Sequence, residues 1–422
     1  MLSNSLSFWA CLPFVVLLAS IAVFPLLNKQ WWDKYFPVVS IGMGILVIQY
    51  YVFVIHSIIP ILDSLHEYIS FIALIGSLYV ITGGIHIRLN GRSKPVTNVI
   101  FLAIGAVIAN IVGTTGASMI LIRPYLRVNH YRIKPFHIIF FIFIVSNVGG
   151  ALTPVGDPPL FIGYLKGIPF FWSINNLWYI WLFAIAALLL IFYIIDDYHF
   201  ENLTHHQQNL AEEIGEHAKV EGLFNIFYLA IVLIAVFISN PPFLREVLIV
   251  LAGLGSYYST SSKIHKKNNF DFIPIKEVAI LFLGIFIAMV PALDWIRQNS
   301  ENLGLQHAGQ YYWATGALSS VLDNTPTYLN FLNAALGQFG SKGIAAQIGY
   351  FLQSQRIIIQ AISIGAVFFG AMTYIGNGPN LMVKSIAEQA GIECPSFISY
   401  ILKYSLLILL PLFVIIWFLF FR

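Results

Sequence analysis

Charge is what this 422-residue chain has least of: 10% of its residues are Asp, Glu, Lys or Arg, where a soluble domain carries about 25%. That scarcity excludes a soluble globular class. With 58% hydrophobic residues and a mean hydropathy of +0.80, the solvent of this chain is lipid. Net charge is only +3, so nothing in the composition calls for a nucleic-acid partner. Cysteine is nearly absent as well. Cys11 and Cys394 stand at opposite ends of the chain, which excludes a disulfide framework and a cysteine-based zinc site. Residues 1–7 hold no Lys or Arg, and 8–27 is a full span rather than a short signal core, so it reads as a retained helix.

What the chain has is a series of apolar windows of membrane length, near 8–27, 36–55, 68–87, 97–122, 136–165, 177–195, 223–239, 243–259, 278–295, 310–336, 357–383 and 400–421. The fourth is flanked by basic residues on both sides: Arg88, Arg92 and Lys94, then Arg123, Arg127, Arg132 and Lys134. Positive flanks belong on the cytoplasmic side, so this window should enter and leave by the same face. It reads as a re-entrant hairpin, 97–122. Window 310–336 is its counterpart, with weakly charged flanks at Arg297, Glu301, Lys342 and Arg356 that suit the external face.

The expected fold is an all-α polytopic membrane protein of about ten crossings plus two re-entrant helical hairpins, both termini outside. It divides into a first inverted repeat, 1–195, a cytoplasmic acidic linker, 196–222, and a second repeat, 223–422. The linker holds Glu212, Glu213 and Glu216; its His205, His206 and His217 make only a weak metal site. The row Arg123, Arg127, Arg132 and Lys134 reads as topological and lipid-contacting.

Two interrupted windows carry related motifs, Thr153-Pro154-Val155-Gly156-Asp157-Pro158-Pro159 within 136–165 and Thr373-Tyr374-Ile375-Gly376-Asn377-Gly378-Pro379-Asn380 within 357–383. Broken helices at membrane depth are tolerated where they are buried in protein or line a cavity, and paired breaks in two halves mark a transport site. The hairpin tips add Asn110, Thr114, Thr115 and Gly116 in the first, and Asp323, Asn324, Thr325 and Thr327 in the second; an offset of 214 pairs Asn110 with Asn324. Ser146 and Asn147, Thr153 and Gly156, and Thr373, Gly376 and Asn380 complete a lining of oxygen donors suited to a hard cation. Asp157 and Asp323 are the sharpest signals, because a carboxylate at the bilayer centre costs at least roughly 2.5–3.5 kcal/mol. A cation or a proton offsets that cost. Both aspartates also stand where a helix restarts, so each has the alternative of a plain N-cap.

The runs at 109–127, 146–172, 319–332 and 372–391 resemble the sodium/proton antiporters of the NhaD type, within the superfamily that also holds citrate, dicarboxylate and arsenite carriers. The resemblance implies a scaffold domain, a transport domain bearing the two hairpins, a homodimer and an elevator-like movement in a prokaryotic plasma membrane. It implies a secondary transporter rather than an enzyme, with no cofactor beyond transported sodium and protons. Sodium or lithium exchange for protons is the leading expectation, with Asp157, Asp323, Asn324, Asn110 and Asn377 binding the cation or proton. A sodium- or proton-coupled citrate carrier is the alternative, and arsenite efflux and an intramembrane aspartyl protease are lesser ones. On the leading expectation, everted vesicles show sodium-induced proton movement that Asp157→Asn or Asp323→Asn abolishes.

Overall fold

A computed structural model describes residues 7–90, 93–203, 217–238, 240–339, 349 and 351–422. Arg92, Lys342, and the linker residues His205, His206, Glu212, Glu213 and Glu216 lie outside the described residues. Among those described, eight helices are long and apolar enough to cross a membrane: Phe8–Pro25, Gln30–Ile55, Ile59–Gly83, Pro95–Val128, Pro135–Leu152, Trp172–Glu201, Ile273–Gln298 and Phe397–Phe420. Asn225–Ala235 and Arg356–Met372 are shorter apolar helices, and Leu244–Ser259 is a further short helix carrying Arg245 and Glu246. The chain is an all-α polytopic membrane protein, as its composition requires: in lipid a backbone must satisfy its own hydrogen bonds, and the helix does so within one segment. Proline marks several starts. Pro95, Pro135 and Pro158 each open a helix, where a missing N–H costs nothing.

The helices sort into two packed groups. In one, Lys29–Tyr50 lies against Leu12–Leu27 and Ile273–Ala288, and Ile59–Gly83 lies against Asn225–Ala235, Leu244–Ser259 and Ile273–Ala288. In the other, the hairpins and interrupted helices pack on each other and on Trp172–Glu201.

Pro95–Val128 does not cross. A straight helix would hold Phe101 and Tyr125 about 36 Å apart, yet their ring centroids are 5.2 Å apart. The reversal is at Gly113, whose φ of 80° and ψ of 155° lie where only glycine is comfortable. At the base of the hairpin the Asn98 and Asn129 amides exchange hydrogen bonds of 2.8 and 2.9 Å. The second hairpin closes between Ala308–Ser319 and Asn324–Phe339, with Tyr311 Oη donating to Gln338 Oε1 at 3.0 Å.

Two expectations are corrected at the base of the first hairpin. Asp196 does not open a solvated linker: Trp172–Glu201 continues past it, and its carboxylate is fully buried. Arg132 does not face lipid but is also buried, donating to Asp196 Oδ1 at 2.5 Å and Oδ2 at 2.8 Å. Asn98 Nδ2 donates to the same Oδ2 at 3.0 Å, and His137 Nε2 lies 3.1 Å from Oδ1. Finding three partners, one of them a bidentate arginine, is what lets an aspartate sit inside the bundle, so the helix runs on through a position that reads as its end. The end of the linker is also ordered: His217–Glu221 pairs antiparallel with His86–Asn90.

This ion pair generates a prediction. Arg132→Met, by taking the bidentate arginine from a buried Asp196, costs about 3–5 kcal/mol, while Arg132→Met combined with Asp196→Leu recovers most of it. Thermal unfolding of the purified protein in detergent reads both, and an Arg132→Met protein as stable as wild type would contradict the assignment.

Candidate functional site

Each interrupted helix is built the same way. Pro135–Ile144, a 3₁₀ turn Val148–Leu152 and Pro158–Leu165 make the first; Arg356–Phe369, Gly370–Met372 and Gly378–Gln389 make the second. Between the parts, Thr153 and Thr373 are extended, and each hydroxyl accepts the N–H of the glycine three residues on, Gly156 at 2.9 Å and Gly376 at 3.1 Å. Each hydroxyl also donates to its own hairpin, Thr153 to Asn110 O and Thr373 to Ser320 O, both at 2.6 Å. One threonine per repeat therefore fastens a break to a tip.

These matched contacts set the internal register, and it differs from the one read in the sequence. The breaks correspond at 220 residues, but the tips correspond at 210: Asn110 with Ser320, and Thr114 with Asn324. Close approaches agree. A methyl group built on Gly150 would come 2.5 Å from Thr114 Cγ2, and one on Gly370 would come 2.4 Å from Asn324 Oδ1. The pairing of Asn110 with Asn324 is thus off by one helical turn. Matching amides to amides misled, because the equivalent of Asn324 is a threonine.

Asp157 is at the centre. It is fully buried and accepts hydrogen bonds from Thr114 Oγ1 at 2.9 Å, Asn324 Nδ2 at 3.0 Å and Asn377 Nδ2 at 3.3 Å. Those donors come from the first tip, the second tip and the second break. Asp157 stands at the N-cap position of Pro158–Leu165 yet makes no capping bond. The reason is in the sequence: a capping side chain needs the N–H of the second or third helical residue. Here the second is Pro159, and the third, Leu160, bonds Asp157 O at 3.1 Å. Its carboxylate is left free to face the other elements.

Asp323 does the opposite. Half-buried at the second tip, it accepts Thr325 N–H at 3.0 Å, and its carbonyl accepts Thr327 Oγ1 at 3.0 Å. It caps Asn324–Phe339, the plain alternative raised for both aspartates. The two carboxylates therefore have separate partners, unlike a shared-proton dyad.

Amides hold the rest together. Asn380 Nδ2 donates to Gly370 O and Thr373 O, at 2.8 and 2.9 Å, which fixes its Oδ1 toward Asn147 Nδ2 at 2.7 Å. Asn147 Nδ2 also donates to Ile142 O, so its Oδ1 faces Asn377 Nδ2 at 3.2 Å. Asn377 in turn reaches Ser146 O at 3.2 Å. Asn110 is turned away from Asp157: its Nδ2 donates to Ala106 O and Gly149 O, and its Oδ1 accepts Leu152 N–H, so it splints tip to break. Thr115 and Gly116 line a cavity of about 30 Å³, room for a water or two, between the first tip and Leu74 and Leu78 of Ile59–Gly83. Thr325 is buried beside the cap.

Two participants escape the sequence reading. Ser319 Oγ lies 2.7 Å from Asn324 Oδ1, and Ser118 Oγ lies 2.8 Å from Ser146 Oγ. Serines one turn from a tip were the available signal, but single hydroxyls on helices carry little weight without the fold.

Tight packing of the breaks gives the site's own prediction. A methyl on Gly156 would come 2.2 Å from Gly150 O, whereas Gly378 has open space beside it. Gly156→Ala should destabilise by about 1–3 kcal/mol as an overpacking change, and Gly378→Ala by much less. Equal thermal stability of the two variants would contradict the close packing of the first break.

Among curated protein sequences, none matches the chain significantly. A family model described as "Putative citrate transport" matches residues 3–421, nearly the whole length. Long apolar helices, two re-entrant hairpins and a buried polar centre fit a membrane transporter, and the chain belongs to that citrate-transport family, CitMHS_2.

Proposed function

We propose that this protein is a secondary transporter that moves a small organic anion of the citrate class together with a cation, sodium or a proton, by alternating access. The observation that carries the proposal is Asp157, fully buried and hydrogen-bonded by neutral donors from both repeats. A carboxylate at this position repels a citrate carboxylate unless a cation or proton is present, so the two cargoes bind together. Helices restart at Thr114, Pro158, Asn324 and Gly378 around the same centre, and their N-terminal ends favour an anion without any basic side chain. The match to a citrate-transport family supports the organic anion as cargo. Asn377, Asn324 and Thr114 position the coupling carboxylate; Asn147 and Asn380 orient Asn377. The same proposal includes a homodimer in a prokaryotic plasma membrane.

Sodium/proton exchange is the second reading. It is favoured by one specific observation: every side chain bonded to Asp157 is uncharged, and no Lys or Arg stands in either tip or break motif.

Reconstituted vesicles separate the readings. Wild type should accumulate labelled citrate under an inward sodium or proton gradient, and Asp157→Asn should abolish accumulation. Asp323→Asn should keep at least about half of the activity, because asparagine is as good an N-cap as aspartate. This departs from the expectation that either substitution is fatal. Sodium-driven proton movement with no citrate uptake would establish the exchanger instead.

A further inference from the structure

The hydrogen bonds around Asn324 do not close as one set. Ser319 Oγ lies 2.7 Å from Asn324 Oδ1 and also 2.6 Å from Ala366 O, yet a hydroxyl has a single proton to donate. If that proton goes to Asn324, Ala366 O loses it. If it goes to Ala366, two lone-pair oxygens face each other at 2.7 Å. A half-turn of the Asn324 amide resolves the second case. The two ends of a carboxamide are nearly the same size, so the turn exchanges O and N without displacing neighbours. Asn324 Nδ2 then donates to Ser319 Oγ, Ser319 donates to Ala366 O, and Asn324 Oδ1 faces Asp157 Oδ2 at the 3.0 Å now spanned by Nδ2. Two acceptors at that distance require a proton between them.

We propose that the coupling ion is a proton carried on Asp157 Oδ2, and that the Asn324 amide turns over as that proton comes and goes, with Ser319 as its pivot. This rests on the reading of Asp157 as the coupling group. In the charged state Asn324 Nδ2 donates to the carboxylate and Ser319 donates to Asn324 Oδ1. In the neutral state Asp157 Oδ2–H donates to Asn324 Oδ1, Asn324 Nδ2 donates to Ser319 Oγ, and Ser319 donates to Ala366 O. On one side a hydronium ion gives up one O–H bond as Asp157 Oδ2 gains one, and on the other the Asp157 O–H bond breaks as a water molecule takes the proton and becomes hydronium.

Geometry selects Oδ2 over Oδ1. Asp157 Oδ1 faces Thr114 Oγ1 and Asn377 Nδ2, and the Asn377 amide is fixed as a donor through the chain of Asn147 and Asn380, itself anchored on backbone carbonyls. The Thr114 hydroxyl can also turn to accept from Oδ1, but a proton there shares that oxygen with the fixed Asn377 donor, whereas on Oδ2 the reversible Asn324 amide is the one hydrogen-bond partner among the described residues. Titratable groups on the surrounding elements include Asp323 and Tyr328 of the second hairpin, Tyr79 of Ile59–Gly83, Arg123 of the first hairpin, and Tyr374 and Lys384 around the second break; Asp63, His66, Glu67 and Tyr68 stand nearer the start of Ile59–Gly83, and Tyr125, Tyr311 and Tyr312 further along the hairpin arms from the tips. Asp323 is engaged with Thr325 N–H, Tyr79 donates to Asp271 O, Tyr374 to Pro395 O and Lys384 to Glu388. The hydroxyl of Tyr328 lies against Gly163, and among the described residues none of these groups hydrogen-bonds Asp157. The tip that carries Asn324 thereby senses the charge of Asp157, and closure of that tip is coupled to the proton.

Infrared difference spectroscopy of the full chain in lipid vesicles, titrated with acid, tests this. Wild type should gain a carboxylic C=O band that Asp157→Asn removes. At the same pH it should show a shift of a side-chain amide band that Asn324→Ser removes. Ser319→Ala takes two hydrogen bonds from the neutral arrangement, Asn324 Nδ2 to Ser319 and Ser319 to Ala366 O, and one from the charged arrangement, Ser319 to Asn324 Oδ1, so the carboxylic band should appear about one pH unit lower. Ser319→Thr keeps the hydroxyl and should restore the wild-type midpoint. An amide band that stays still while the carboxylic band appears would overturn the switch, and this readout needs only folded wild type. An unchanged midpoint in folded Ser319→Ala would overturn it too. Citrate uptake is a separate arm: wild type that titrates as described but moves no citrate refutes the proposed function and leaves the switch standing.

Discussion

The polar centre of this protein is organised around one constraint, the burial of a carboxylate among the tips and breaks of two hairpins and two interrupted helices. Insertion of Asp157 costs roughly 2.5–3.5 kcal/mol even on the lenient scale. Hydrogen bonds to a charged group return about 1.5–3 kcal/mol each, so one donor alone at best barely meets the cost and the three together exceed it. They come from three elements, two of them in the second repeat. The carboxylate and the assembled tips therefore depend on one another, and withdrawing either tip leaves Asp157 short of a partner. That dependence is what a coupling group needs.

The buried ion pair at the base of the first hairpin follows the same physics with the opposite outcome. Asp196 is held by a bidentate arginine, an amide and a histidine, all within one packed group of helices. Such a site is rigid. Asp157 instead has only neutral partners, and its Asn324 contact can reverse. Two buried aspartates thus divide the work: one fixes the base of a hairpin, and the other leaves its tip responsive.

Much of this was legible in the sequence. Basic flanks on both sides of 97–122 required a hairpin, and the repeated Thr-x-x-Gly-Asp/Asn motifs required matched breaks; both follow from rules that act locally. Asp157 could also have been separated from Asp323 by its neighbours, since Asp-Pro-Pro denies the capping N–H that Asp-Asn-Thr supplies. Other features needed the fold. Asp196 and Arg132 are 64 residues apart, and each alone reads as a charge at the end of a span. The true register between tips, Thr114 with Asn324, joins unlike residues, so no comparison of side-chain types finds it. Ser319 gains its meaning only from the position of Ala366.

On the proposed function, Asp157 carries the coupling charge and does not hold the anion, so citrate exchange and citrate accumulation should part company in vesicles containing Asp157→Asn. Exchange of labelled for unlabelled citrate at equal concentration needs binding and movement but no coupling, and it should persist, while accumulation against a gradient should vanish. Accumulation at the wild-type level, with its dependence on pH intact, would contradict the account.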